Sequence, residues 1–137
     1  MKQISVVAEN RQGMLQAITA VMAKGNINIF GFVTIDAGEY GVMRLIVSDT
    51  DKALSLLKEA GYLCQTREVI GVEMDDKVGS LSKLLTELKN SYINIDYIYL
   101  TFGRKSAKPI FVINVDDRDA VENCLRNKGF TVIEEVD

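Results

Sequence analysis

The feature that most constrains this chain is that it repeats itself. Ile4-Ser5-Val6-Val7-Ala8 returns as Ile70-Gly71-Val72-Glu73-Met74, and Asn10-Arg11-Gln12-Gly13-Met14-Leu15 returns as Asp76-Lys77-Val78-Gly79-Ser80-Leu81. At the same spacing, Asn26-Ile27-Asn28-Ile29 is echoed by Tyr92-Ile93-Asn94-Ile95. Asp51, Leu57, Gly61 and Tyr62 then match Asp119, Leu125, Gly129 and Phe130, with the offset grown by two residues. The extra length falls where Phe102 to Pro109 replaces Ile35 to Tyr40, between two strand-like runs. A hairpin turn absorbs such an insertion at little cost. A repeat of this length makes each copy one structural unit. The 137 residues therefore divide into residues 1–68 and 69–137. Units this small bury a reduced share of their surface, so the copies are expected to lean on each other or on a second chain.

Within each copy the pattern reads strand, helix, strand, strand, helix, strand. Ile4, Val6 and Ala8 alternate with Gln3, Ser5 and Glu9, the period of a half-covered sheet. Leu81, Leu84, Leu85 and Leu88 form an apolar stripe at helical spacing, and Leu15, Ile18, Val21 and Met22 form its partner in the first copy. Gly25, Gly61 and Gly129 stand where a left-handed residue would end a helix. Asp49 or Asp51 in one copy and Asp117 in the other are placed to cap the second helices. Right-handed βαβ crossovers then predict an α+β fold: two ferredoxin-like βαββαβ domains in tandem, each an antiparallel sheet with its helices on one face.

Composition removes several classes of function. Hydrophobic residues make up 47% and charged residues 26% of the chain, ordinary for a globular protein. A net charge of −3 and a pI near 5.0 give no basic face for nucleic acid or a membrane surface. No apolar run reaches the roughly 20 residues of a bilayer span. The first residues enter a strand-like pattern with no signal-peptide character, so the expected location is cytoplasmic. Cys64 and Cys124 show no CxxC or metal-ligand spacing and read as small apolar residues. The chain has no histidine, so the commonest general base and the commonest metal ligand are both missing. Asp75 and Asp76 are adjacent carboxylates, but neighbours on an extended segment point to opposite faces, which suits solvated charges better than acid–base work. No catalytic residues, metal or cofactor are expected.

A ferredoxin-like sheet hosts many activities, so the site must decide. RNA binding would need aromatic residues on the central strands, and the first strands carry none. A metal chaperone would need CxxC after the first strand, where Asn10 to Gly13 and Asp76 to Gly79 stand instead. These two segments share another property. Each opens into a helix whose free amides and positive dipole end favour an anion. Gly13 and Gly79 leave the backbone open to close approach. Asn28 and Asn94, flanked by isoleucines, carry the donor and acceptor to meet a ligand ammonium. The same residues also serve ordinary turn chemistry and local backbone bonding, so residues alone divide evenly between a binding site and a structural role.

In these residues the sequence resembles the ACT domain family: a first strand, an Asn or Asp with Gly three positions on, an apolar helix and an Ile-Asn-Ile second strand, twice over. The resemblance implies a non-catalytic regulatory or sensor protein that binds an amino acid or similar metabolite at an interface between ACT domains. It nominates Asn10, Arg11, Gln12, Gly13, Met14, Leu15, Asn28 and Ile29 from the first copy. From the second it nominates Asp76, Lys77, Val78, Gly79, Ser80, Leu81, Asn94 and Ile95. Asn10 differs from Asp76 in charge and Met14 from Ser80 in size, so one site is expected to dominate. A homodimer through edge strands and a partner enzyme regulated in trans are the expected associations. The rival reading is a ligand-free assembly module.

Overall fold

A computed structural model of the chain describes residues 1–136. In chain order it runs β1 (Lys2–Glu9), α1 (Met14–Lys24), β2 (Ile29–Ala37), β3 (Tyr40–Val47), α2 (Thr50–Glu59) and β4 (Leu63–Glu68). The pattern then repeats as β5 (Ile70–Glu73), α3 (Ser80–Asn90), β6 (Tyr97–Phe102), β7 (Pro109–Asn114), α4 (Arg118–Asn127) and β8 (Thr131–Ile133). Two compact units result, Lys2–Arg67 and, together with Met1, the chain from Glu68 onward.

In the first unit the strands lie in the order β2-β3-β1-β4. β3 runs antiparallel to both neighbours, with Leu45 opposite Ile4 on one side and Phe32 on the other. Because side chains alternate along a strand, Ile4, Val6, Met43, Leu45 and Val47 share one face. Ile18 and Met22 of α1 and Ala53 and Leu57 of α2 close over that face, so both helices lie on the same side. The second unit repeats the plan in the order β6-β7-β5-β8. There Ile70, Val72, Phe111 and Ile113 meet Leu84 and Leu88 of α3 and Val121 and Leu125 of α4. The fold is the expected pair of ferredoxin-like βαββαβ domains. Truncating one of these fully buried leucines would cost about 2–5 kcal/mol.

The helix ends show why the sequence punctuates as it does. Asp49 caps α2 by accepting from the Lys52 amide at 3.1 Å, and Asp117 caps α4 by accepting from the Ala120 amide at 3.3 Å. The left-handed closing residues are Asn26, Gly61, Tyr92 and Gly129, with φ of 56°, 89°, 57° and 88°. At each, the following amide donates five residues back: Ile27 to Met22, Tyr62 to Leu57, Ile93 to Leu88 and Phe130 to Leu125, all at 2.9–3.0 Å. This is the Schellman closure. Gly61 and Gly129 act as expected. Gly25 does not, since its φ is −81° and the turn falls one residue later, on Asn26. Packing is what Gly25 serves, because a Cβ there would lie 2.4 Å from Cδ1 of Leu56 on α2.

A second departure concerns β1. Gln3 and Ser5, expected on a wet face, are 0% and 7% exposed. Gln3 Nε2 donates to Ser5 Oγ at 3.5 Å, and Arg44 Nη1 donates to the same oxygen at 2.8 Å. Among the described residues no helix is long and apolar enough to cross a membrane.

Candidate functional site

The two helix starts are built alike. After β1, the Arg11 amide donates to Glu9 O at 2.9 Å and the Met14 amide to Arg11 O at 3.2 Å, curling the chain into α1. After β5, Lys77 donates to Asp75 O at 2.9 Å and Ser80 to Lys77 O at 3.2 Å. Gly13 and Gly79 take φ/ψ of 84°/2° and 93°/−4°, left-handed geometry that glycine accepts without strain. Neither helix has a side-chain cap. Among the described residues the amides of Leu15 and Gln16, and of Leu81 and Ser82, meet no protein acceptor. They are the donors that a helix start leaves for solvent or a ligand.

Each start borders a cavity within its own unit. The first, about 440 Å³, is lined by Asn10, Arg11, Gly13, Met14, Leu15 and Gln16 with Thr34, Ile35, Asp36 and Gly41. The second, about 640 Å³, is lined by Asp75, Asp76, Lys77 and Gly79 to Ser82 with Leu85, Leu100, Phe102, Pro109 and Phe111 among others.

Placement of the candidate residues is uneven. Asn10 turns its amide away from the helix start, donating to Asp36 Oδ1 at 3.0 Å and Gly38 O at 3.1 Å, so it ties down the β2–β3 hairpin. Arg11 stands 3.7 Å from Glu9, and Gln12 is exposed. Val78 projects fully into solvent. Ser80 Oγ donates to Asp75 O at 2.7 Å. Lys77 stands 3.9 Å from the Asp75 carboxylate, whose other oxygen lies 3.3 Å from Lys108 Nζ. Asp76 has no ion-pair partner among the described residues.

Asn28 and Asn94 lie elsewhere. α1 has 11 residues, about 16 Å of helix, and Asn28 follows its far end. Its backbone is paired with Ser48, whose hydroxyl accepts from the Asn28 amide at 2.9 Å. Ile29 opens β2 opposite Val47. Asn94 and Ile95 precede β6 instead of starting it, and with Lys89 and Tyr92 they border a separate hollow of about 500 Å³. Each unit therefore brings its loop residues together at the cavity, except Gln12 and Val78, and leaves its asparagine at the opposite end of the helix.

Residues missed by sequence reasoning come from the strands: Thr34, Asp36 and Gly41 in one cavity, and Leu100, Phe102, Pro109 and Phe111 in the other. They become visible only once strand register is known. Burial pushes the Cys64 thiol up, partly offset by Lys58, so no reactive thiolate is prepared there. Among the described residues no group of three or more acidic or thiol side chains could hold a metal.

Compared with family models, residues 1–137 match the ACT domain pair over their whole length. The chain belongs to the ACT domain family. This ACT pair is also similar to the crystal structure of protein BT0572 from Bacteroides thetaiotaomicron, at 30% identity and TM-score 0.87, covering 96% of this chain and 90% of that one. The regulatory subunit of aspartate kinase from Thermus thermophilus, in its ligand-free form, shares the fold at 16% identity and TM-score 0.66, over 91% and 87% of the two chains. E. coli aspartokinase III in complex with lysine and aspartate shares it at 17% identity and TM-score 0.53, over 92% of this chain and 30% of that one. Comparison with curated proteins gives no match.

Proposed function

We propose that this ACT pair, with domains at residues 1–68 and 69–137, is a non-catalytic sensor that binds an amino acid or similar small carboxylate at a helix start. One observation carries the reading: an uncapped, glycine-opened helix start whose amides face a cavity with no protein group on them. A ligand carboxylate there would gain charge-assisted bonds worth about 1.5–3 kcal/mol each and the favourable helix dipole. The fold likeness to a regulatory subunit, and to an aspartokinase solved with two amino acids, is in keeping with it. Binding alters function only through its differential affinity for two states of the protein, and the regulated catalytic activity lies outside these residues.

The experiment is thermal unfolding of the full chain against each of the twenty amino acids. A true ligand at about a hundred times its dissociation constant is expected to add about 2.7 kcal/mol of stability. Gly79→Asp keeps a residue type that tolerates left-handed backbone but sets a carboxylate at the mouth of α3. Gly13→Asp does the same for α1. Loss of the shift in at least one of them supports the site, and a shift that survives both sinks it. A ligand-free assembly module is favoured by the exposed Phe32 on edge strand β2 and Phe102 on edge strand β6, 55% and 48% exposed. It predicts no shift with any amino acid and mass that rises with concentration in sedimentation.

A further inference from the structure

The two cavities share a backbone plan but have different walls. Register makes the correspondence explicit: Thr34 faces Met43 and Asp36 faces Gly41 in the first unit, where Leu100 faces Phe111 and Phe102 faces Pro109 in the second. On the helices, the offset that takes Gly13 to Gly79 also takes Met14 to Ser80 and Thr19 to Leu85. Polar or blocking residues of the first unit become short or apolar ones in the second.

In the first unit Met14 lies across Gly41, its Cε 2.9 Å and its Sδ 3.3 Å from where a Cβ would stand. Asp36 puts a carboxylate into the same lining, held by the Gly38 amide at 2.9 Å and by Asn10. That charge opposes a ligand carboxylate at α1. In the second unit Ser80 is short and folds back onto Asp75 O. Leu81, Leu85, Leu100 and Phe102 stand 42%, 37%, 45% and 48% exposed beside it. Together they give one side of the hollow an apolar wall, with the helix-start amides and Asp76 at its end. Asp76, free of ion pairs among the described residues, borders the same hollow and offers a carboxylate to an ammonium.

Resting on the carboxylate-binding role proposed above, we infer that the second unit holds the working site and that it selects amino acids with large aliphatic or aromatic side chains. The free amides of Leu81 and Ser82 take the carboxylate, Asp76 takes the ammonium, and Leu85, Leu100 and Phe102 cover the side chain. A charged side chain would have to shed water against Leu85, Leu100 and Phe102, while the other charged groups of the lining, Asp75, Lys77 and Lys89, stand exposed to solvent, where pairing gains little.

Calorimetric titration of the full chain tests this. L-leucine and L-phenylalanine are expected to bind at one per chain, and L-lysine and L-glutamate about ten-fold or more weakly. Ser80→Met, which gives the second unit the residue of the first, is expected to weaken leucine binding about ten-fold while the circular dichroism spectrum stays unchanged. Leu85→Glu is expected to reverse the preference toward L-lysine, an outcome that mere loss of structure does not produce. Two leucines per chain, equal binding of charged amino acids, or wild-type affinity in Ser80→Met would overturn the inference and leave the carboxylate site standing. If Leu85→Glu instead dissolves a dimer and leucine has no effect, a second copy covers the wall and the inference is wrong. Absence of binding by any of the twenty amino acids removes the amino-acid reading of the proposed function, and this inference with it.

Discussion

Gly13 and Gly79 open their helices with backbone angles that differ by 9° in φ, 84° against 93°, and by 6° in ψ, 2° against −4°. Facing them, Thr34 and Asp36 in one unit and Leu100 and Phe102 in the other share almost no chemistry. The contrast teaches which part of a duplicated site is constrained by the fold and which is free to diverge. The helix start needs left-handed backbone to turn from strand to helix, so its geometry persists whether or not anything binds. The walls are exposed and carry little of the core, so they diverge with the ligand each unit meets, or with its absence.

The largest effect is expected where the copies differ for packing reasons. Gly25 and Ser91 occupy equivalent positions at the ends of α1 and α3. Gly25→Ser would set a Cβ 2.4 Å from Leu56 Cδ1 and 3.2 Å from Ile27 Cδ1, and is expected to cost about 1–3 kcal/mol in urea denaturation. Ser91→Gly removes the bond from Ser91 Oγ to Glu87 Oε1 at 3.2 Å, the weak one that Ser91 Oγ accepts from Cys124 Sγ at 3.6 Å, and some backbone rigidity, about 1 kcal/mol. Equal losses would show that the two helix pairs pack alike and that the glycine is incidental.

Next comes the loop latch. Asn10→Asp replaces a donor to Asp36 and Gly38 with a charge beside the Asp36 carboxylate, and about 1 kcal/mol should be lost. Amide exchange at Gly38 should quicken with it. The reciprocal Asp76→Asn touches no such bond and should stay within about 0.5 kcal/mol of the parent. If both are neutral, the latch contributes nothing and the first cavity is less closed than its hydrogen bonds imply.

How much of this was readable in advance follows from which forces act locally. The repeat, the alternation of Ile4 and Val6 and the stripe of Leu81, Leu84 and Leu88 announce strands and helices because side-chain periodicity is a local property. Asp49 and Asp117 announce caps for the same reason. Gly25 misleads because the Schellman turn is closed by Asn26, which tolerates left-handed backbone, while the glycine answers a contact with Leu56 from a distant helix. Gln3 and Ser5 mislead because alternation does not say whether the second face of a sheet stays wet. In the candidate site, Gly13 and Gly79 are legible as turn chemistry. Phe102 and Asp36 are not, because only the hairpin register, with its inserted turn, brings them to equivalent places.

The smallest effects serve as the control on the whole comparison. Asp49 and Asp117 each bond an amide in the first turn of α2 and α4, at 3.1 and 3.3 Å, and each is followed two residues on by a second carboxylate, Asp51 and Asp119. Both helices are also closed by a left-handed glycine, Gly61 and Gly129. These second helices therefore differ little between the copies, and Asp49→Ala and Asp117→Ala should each cost about 1 kcal/mol. Denaturant midpoints for the two variants should agree within about 0.5 kcal/mol after conversion by a common slope. A clear inequality would mean that the copies have drifted in stability everywhere, and that the contrast at Met14 and Ser80 reflects general divergence instead of a site kept open in one unit and shut in the other.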